Sequence, residues 1–152
     1  MSALNIVWFK RDLRLRDHAP LKHALKKGGQ VLLLHLFEPS DLAHETTSNR
    51  HLAFRWQAWN CLVSEAEVEG WPVAHAAVRA SALEALSFLQ EQYGIRSLWS
   101  YEETGLLHTF ERDKSIQSWT KDHGIPWNEF RQQAVQRGLK SRASWASDRS
   151  EE

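Results

Sequence analysis

Lys10, Arg11, Arg14 and Arg16 follow directly on an apolar run, Leu4 to Phe9. The chain passes within one residue from the pattern of a buried strand to a highly charged loop. Cations delivered together at a strand end suit one kind of chemistry, the holding of an anionic group. In an open parallel sheet ligands collect outside the carboxyl ends of the strands, which is where these side chains would stand. The same charges also suit a solvated turn in which Arg11 and Arg14 pair with Asp12 and Asp17, and charge alone leaves both readings open.

Two further stretches carry chemistry of the same kind. Arg50 and His51 fall in the first turn of a helix expected over residues 49–69, capped by Ser48. The helix dipole disfavours a cation at that end, so an anionic partner nearby would relieve it; pairing of Arg50 with Glu45 or solvent is the alternative. Tyr101-Glu-Glu-Thr-Gly105 turns at the end of another apolar segment. Other chemistry finds little support. The eight His have no Cys partners and no His-x-x-Glu-His spacing, so no metal site is assigned. Cys61 falls mid-helix, one step from an apolar stripe, and reads as a packed small hydrophobe. No phosphate-cradling Gly-rich loop follows Phe9, against an ATP or NAD domain of the usual kind. No residue is assigned a catalytic role.

Positioning these residues falls to an alternating series of strands and helices. Leu4 to Phe9 opens the series, and Asp17 or His18 caps a helix beginning at Ala19-Pro20, with Leu21, Ala24 and Leu25 inward. Gly28-Gly29 ends it, and residues 30–37 read as a strand covered on both faces. Residues 40–48 form a polar loop. The helix over 49–69 turns Leu52, Trp56, Trp59, Val63 and Ala66 inward. A strand over 71–78 follows, then a helix opened by the capping box Ser81-Ala-Leu-Glu84 and closed by Gly94. A strand over 95–101, a helix over 107–123 and a strand over 125–130 complete the pattern. The expected fold is a doubly wound, five-stranded parallel sheet in a Rossmann-like three-layer α/β/α arrangement over residues 1–131. Residues 132–152 lose periodicity and read as a linker-like tail.

The 152 residues suffice for one domain, which at this size buries about 70% of its unfolded surface. Lys plus Arg and Asp plus Glu are both 19, so no global field draws the molecule to nucleic acid or membrane. A lone cysteine excludes an internal disulfide, and no apolar stretch is long enough to span a bilayer; a cytoplasmic setting is expected. The eight Trp are assigned to packing, with Trp8, Trp56, Trp59 and Trp99 in the core.

The order of residues from Trp8 to Leu21, Trp-Phe-Lys-Arg-Asp-Leu-Arg-Leu-Arg-Asp-His-Ala-Pro-Leu, resembles the opening of the cryptochrome and DNA photolyase family. Lys10 stands for that family's Arg and His18 for its Asn. Asn49-Arg-His-Leu-Ala-Phe54 resembles its Ser-Arg-x-x-Phe element, and Ser100 to Gly105, Glu111-Arg-Asp113 and Gly124 to Glu129 resemble its third landmark. The resemblance runs to about Trp145. It implies the amino-terminal α/β half of a blue-light-driven enzyme that splits pyrimidine dimers, with FAD and the lesion pocket in a separate helical domain. In many members the α/β half holds an antenna chromophore. The loops after Phe9, Phe37 and Tyr101 lie at one end of the sheet, so Lys10, Glu38, Arg50 and the Glu102–Thr104 turn are expected to converge on a crevice between the first and fourth strands. The family's flavin contacts fall on the end of the second strand, here Phe37 and Glu38. Arg50 and His51 follow, with the turn of Tyr101, Glu102, Glu103 and Thr104. His108-Thr109 stands where folate-using members carry Asn-Glu, so a deazaflavin or flavin is expected in place of methenyltetrahydrofolate.

The resemblance also implies that the chain stops where the linker to the FAD domain would begin and does not repair DNA by itself. Its expected partner is that helical domain, in the same protein or a separate chain. DNA is reached only through it, the membrane is not a partner, and a homodimer through the exposed face is possible. The alternative is a stand-alone nucleotide-binding or interaction domain without photochemistry.

Overall fold

Each apolar run becomes a strand of one sheet: β1 (Leu4–Phe9), β2 (Val31–Leu36), β3 (Val73–Val78), β4 (Ile95–Tyr101) and β5 (Trp127–Phe130). A computed structural model describes residues 2–132 of the chain; the expected tail over 132–152 lies, beyond residue 132, outside the described residues. The order is β3-β2-β1-β4-β5, with every pair parallel. The chain winds outward from β1 through β2 to β3, then returns to place β4 and β5 on the other side. The topological switch point therefore lies between β1 and β4.

Successive side chains of a strand face opposite ways, and β1 shows both faces buried. Ile6 and Trp8 join a core cluster with Ala82, Leu86 and Ile116, under α4 (Ala82–Tyr93) and α5 (Leu107–Asp122). Val7 and Phe9 join a second cluster with Leu21, Ala24 and Trp59, under α1 (Ala19–Lys27) and α3 (Asn49–Val68). This is the three-layer α/β/α sandwich expected. The one polar residue inside β1, Asn5, is fully buried and satisfied: its amide donates to Gly28 O at 2.9 Å and its Oδ1 accepts from Ser97 Oγ at 2.6 Å.

The helix ends follow their sequence signals. His18, not Asp17, caps α1, its Nδ1 accepting the Leu21 N–H at 3.2 Å. The Ser81–Glu84 capping box is complete. Ser81→Ala removes the side-chain acceptor of the Glu84 N–H, and urea denaturation is expected to show a loss of about 1 kcal/mol.

Three expectations are corrected. The polar loop after β2 contains one helical turn, α2 (Pro39–Leu42), started by a proline whose missing N–H costs nothing there. The inward seam of α3 runs through Trp59, Leu62 and Ala66, and Trp56 is 51% exposed, so it is not a core residue. Cys61, adjacent to Leu62 but about 100° around the helix from it, is exposed and not packed. Among the described residues no helix is long and apolar enough to cross a membrane, and no group of three His, Cys, Asp or Glu is arranged to hold a metal.

Candidate functional site

The loop after β1 is organised by a carboxylate that the sequence presents as one charge among many. Asp12 is buried, accepts the Lys10 N–H at 2.9 Å, and pairs with the His18 ring. His18 Nδ1 is already the acceptor for Leu21 N–H, so Nε2 carries the proton and donates to Asp12. Burial pushes the Asp12 carboxyl up, but the His18 and Lys10 contacts outweigh it and hold the group below its ordinary range. The His18 ring stacks on Phe9 at 4.5 Å and meets Tyr101 edge-on at 4.9 Å. Asp12 is thus the anchor of the loop and not the partner of Arg11 or Arg14. Arg14 donates to the Asp17 carbonyl, and Arg16 turns away to Glu65 and Glu69 of α3.

Lys10 is buried as well. Its Nζ donates to Asp113 Oδ2 at 3.0 Å and to Tyr101 O at 3.1 Å. Burial pulls its pKa down and Asp113 raises it, with a net lowering. Asp113 also accepts from Arg112 Nε and Nη2 at 3.0 and 2.8 Å, while Arg112 Nη1 reaches Glu38 Oε1 at 2.6 Å. Burial would lower the Arg112 pKa, but Asp113 and Glu38 raise it above the ordinary value. The other Glu38 oxygen accepts the Ala82 N–H at 3.0 Å, at the amino end of α4. One buried ionic network thereby ties β1, β2, β4, α4 and α5 together at the carboxyl edge of the sheet.

A second set lies at the end of β2. His35 is fully buried, its Nδ1–H donating to Phe9 O at 2.9 Å and its Nε2 facing Arg55 Nη2 at 3.4 Å. Burial is the main cause that lowers its pKa to about 4, so the ring is neutral at neutral pH and its lone pair is free to accept from Arg55. Arg55 also donates to Asp41 Oδ2 at 2.6 Å and Leu36 O at 2.9 Å. Its Nε is buried with no hydrogen-bond partner.

Between these two sets opens a cleft of about 690 Å³, walled by the loop after β1, the end of β2, the first half of α3 and the start of α5. Leu13, Phe54, Ala58 and Leu106 supply apolar surface; Arg55, Thr46 and Thr47 supply polar groups. Phe54 is 70% exposed. Each interior cation has a carboxylate beside it: Lys10 has Asp113, Arg55 has Asp41 and Arg112 has Glu38. Arg11 and Arg14 stand in the lining on the loop after β1, where Arg11 is exposed.

Of the expected residues, Lys10, Glu38, His51 and Glu103 line this cleft. Tyr101, Glu102 and Thr104 line a smaller hollow of about 290 Å³ at the switch point, which shares Lys10 and Glu103 with the larger one. Phe37 lies outside both linings, edge-on to His35 and beneath the Arg55 guanidinium at 4.9 Å. Arg50 is exposed and outside both. The sequence carries no local signal that puts Arg55 and Asp41 at the site, and it presents Asp12 only as a partner for Arg11 or Arg14. Arg112 and Asp113 belong to a family landmark in the sequence, and only the fold brings them to the site. The only available signal for His35 was a polar residue inside a run of Val and Leu.

Among solved structures the fold is similar to a class III photolyase from Agrobacterium tumefaciens, with a TM-score of 0.77 and 22% identity over 95% of this chain and 29% of that one. It is similar also to an archaeal photolyase from Sulfolobus tokodaii, described with two FAD molecules and a novel light-harvesting cofactor, with a TM-score of 0.78 and 20% identity over 97% of this chain and 34% of that one. Such identities carry the fold alone. In sequence the chain is 45% identical over 38 residues to a cryptochrome DASH of Synechocystis sp., 25% of this chain and 8% of that protein. It is 42% identical over 48 residues to a deoxyribodipyrimidine photo-lyase of Alkalihalophilus pseudofirmus, 29% of this chain and 10% of that protein. These matches span a tenth or less of the curated relatives. The family model for DNA photolyase matches residues 5–137, most of the sequence, and the chain therefore belongs to the DNA photolyase family.

Proposed function

We propose that the cleft between α3, α5 and the loop after β1 binds a planar light-absorbing ring, a deazaflavin or flavin, and that the chain is the light-harvesting half of a photolyase-like protein. The observation that carries this reading is the cleft itself: its 690 Å³ falls in the range of ligand sites, and it opens at the carboxyl edge of a parallel sheet. Phe54 offers an exposed aromatic face, and the interior charges are already matched, which suits an uncharged ring inside. Arg55 Nε–H is a buried donor without a partner, a cost of about 1–3 kcal/mol that an acceptor on the ring edge would remove. Arg11 and Arg14 are placed for an anionic tail. The Sulfolobus relative described with a light-harvesting cofactor points the same way.

When bound, such a ring supplies absorbance in the near-ultraviolet and blue and a store of excitation energy. This chain's own residues hold and orient it: Phe54 and Leu106 as walls, Arg55 and Thr47 as hydrogen-bonding groups. A helical FAD-binding domain is the partner that would receive the energy, and repair of pyrimidine dimers in DNA would proceed there. His108 stacks on His44 at 4.7 Å and Thr109 bonds back to Leu106 O, so neither offers the Asn-Glu pair of a folate site at this place, which favours a deazaflavin or flavin.

The test is retention of FMN, a 5-deazaflavin and methenyltetrahydrofolate through gel filtration, with fluorescence titration of whichever binds. Flavin or deazaflavin is expected to co-elute, and Phe54→Ala to weaken it about fivefold or more while leaving the melting temperature nearly unchanged. Arg50→Ala, at an exposed position outside the lining, is the comparison. Elution free of all three compounds, or equal binding by the Phe54 variant, would sink the assignment.

A further inference from the structure

Trp8 is the one indole in the cleft lining among the described residues, and its ring lies 1% exposed at the cleft floor. An aromatic residue in that position is normally a hazard to a light-absorbing ligand, because an electron-rich indole beside a photoexcited ring can give up an electron and drain the excitation. The seat of Trp8 is unusual. Lys10 Nζ stands 4.6 Å from its ring centroid and Arg112 Cζ stands 4.7 Å from it. Lys10 Nζ is also 5.5 Å from the ring of Trp127, the neighbour of Trp8 at 6.1 Å. Asp113 and Glu38, with Glu103 3.6 Å from Arg112 Nη2, hold the two cations in place and soften their field, while the ammonium and guanidinium themselves stand 4.6 and 4.7 Å from the indole centroid.

A cation over an aromatic face stabilises the neutral ring through its quadrupole. The same cation repels the ring once an electron has left, and inside a protein that repulsion is only weakly screened. Both effects raise the cost of oxidising Trp8. The step in question moves one electron from the Trp8 indole to the excited ring, leaves one unpaired electron on each, and makes or breaks no bond.

We propose that Lys10 and Arg112 act as an electrostatic guard on Trp8, so that the indole packs beneath a photoexcited ligand without quenching it by electron transfer. This rests on the reading of the cleft as a light-harvesting site and adds to it a reason for two buried cations over one indole. It assigns Lys10 and Arg112 a function beyond their structural one, the pairing of Asp113, Glu38 and the Tyr101 carbonyl.

The fluorescence lifetime of riboflavin bound to the full chain tests the guard. In the natural sequence Trp8→Phe is expected to change that lifetime by less than about twofold, because Trp8 is already silent. Arg112→Met is expected to shorten it several-fold, Arg112→Lys to restore it by returning a cation, and Trp8→Phe in the Arg112→Met background to restore it as well. A several-fold longer lifetime for Trp8→Phe in the otherwise natural chain would overturn the proposal while leaving the cleft assignment standing. That comparison can overturn the proposal even if the Arg112 variants do not fold, and an unchanged lifetime in a folded Arg112→Met chain overturns it as well. Failure of the natural chain to bind riboflavin or a 5-deazaflavin overturns the guard and the cleft assignment together.

Discussion

Lys10→Met is expected to cost about 3–5 kcal/mol of folding stability, although it exchanges a charged residue for an apolar one of similar length in a buried site. The Nζ of Lys10 is the partner of Asp113 Oδ2, and both side chains are about 5% exposed or less. Removing the ammonium takes an ion-pair partner from a buried carboxylate that keeps its bonds from Arg112, and leaves the Tyr101 carbonyl without the Lys10 donor. The loss of one ion-pair partner from a buried carboxylate, together with a buried carbonyl left without its donor, exceeds the gain from removing a desolvated lysine. Urea denaturation of Lys10→Met, Asp113→Leu and the double variant measures this. The double variant should lose less than the sum of the singles, by an interaction energy within about 0.5–3 kcal/mol. Strict additivity would mean that the pair is not coupled. The contrast is Arg16, 74% exposed beside Glu65 and Glu69, where Arg16→Ala should cost under about 1 kcal/mol.

The second large effect is acid lability through His35. In the unfolded chain the imidazole takes up its proton near pH 6.5; in the folded protein burial delays that to about 4. Between these values the unfolded state holds more protons, so stability falls as the pH is lowered through this window. Below the folded value the loss is complete, at about 3 kcal/mol. Protonation would also place a charge against Arg55, whose guanidinium now donates to the ring's lone pair. Measured from pH 7 to pH 4, the natural chain should show a steeper fall in unfolding free energy than His35→Gln, which does not titrate. Parallel curves for the two proteins would contradict the assignment. The Asp12 carboxyl, held below its ordinary range, contributes stability that is present above the usual carboxylate pKa and is lost only as the pH falls further.

How much of this was legible in the sequence depended on whether the signal was local. The strands around β1 could be read because apolar runs ended at glycine, proline or charge, and the capping box of α4 because Ser81 and Glu84 are three apart. Lys10 and Glu103 could be assigned to one crevice because parallel topology alone delivers both to one edge. The direction a helical side chain takes was a harder matter. Arg50 and Arg55 are five residues apart on α3, which turns one about 140° from the other, and only the docked helix shows that Arg55 faces the cleft. The same phase error put Trp56 on the inner seam, a place held by Leu62 and Trp59. Buried charge was the other blind spot. Lys10, Asp12, Glu38 and Asp113 look like surface residues by type, and it is their partners, up to 103 positions away, that allow them inside.

The buried network also bears on how the site is held. Glu38 bonds at once to Arg112 of α5 and to the amino end of α4, so the cleft wall at β2 is fixed relative to the helices beyond it. His35 and Asp41 do the same for Arg55 from the opposite side. A ligand entering between these sets would meet a preformed wall and lose little in ordering it.

The most direct test of the light-harvesting reading is an NMR titration of the isotope-labelled chain with a 5-deazaflavin. Shifts centred on Thr46, Thr47, Phe54 and Leu106, with the Arg55 Nε–H resonance moving among the largest, are the expected result. Shifts absent altogether, or gathered at the opposite end of the sheet around Gly28 and Gly94, would contradict it.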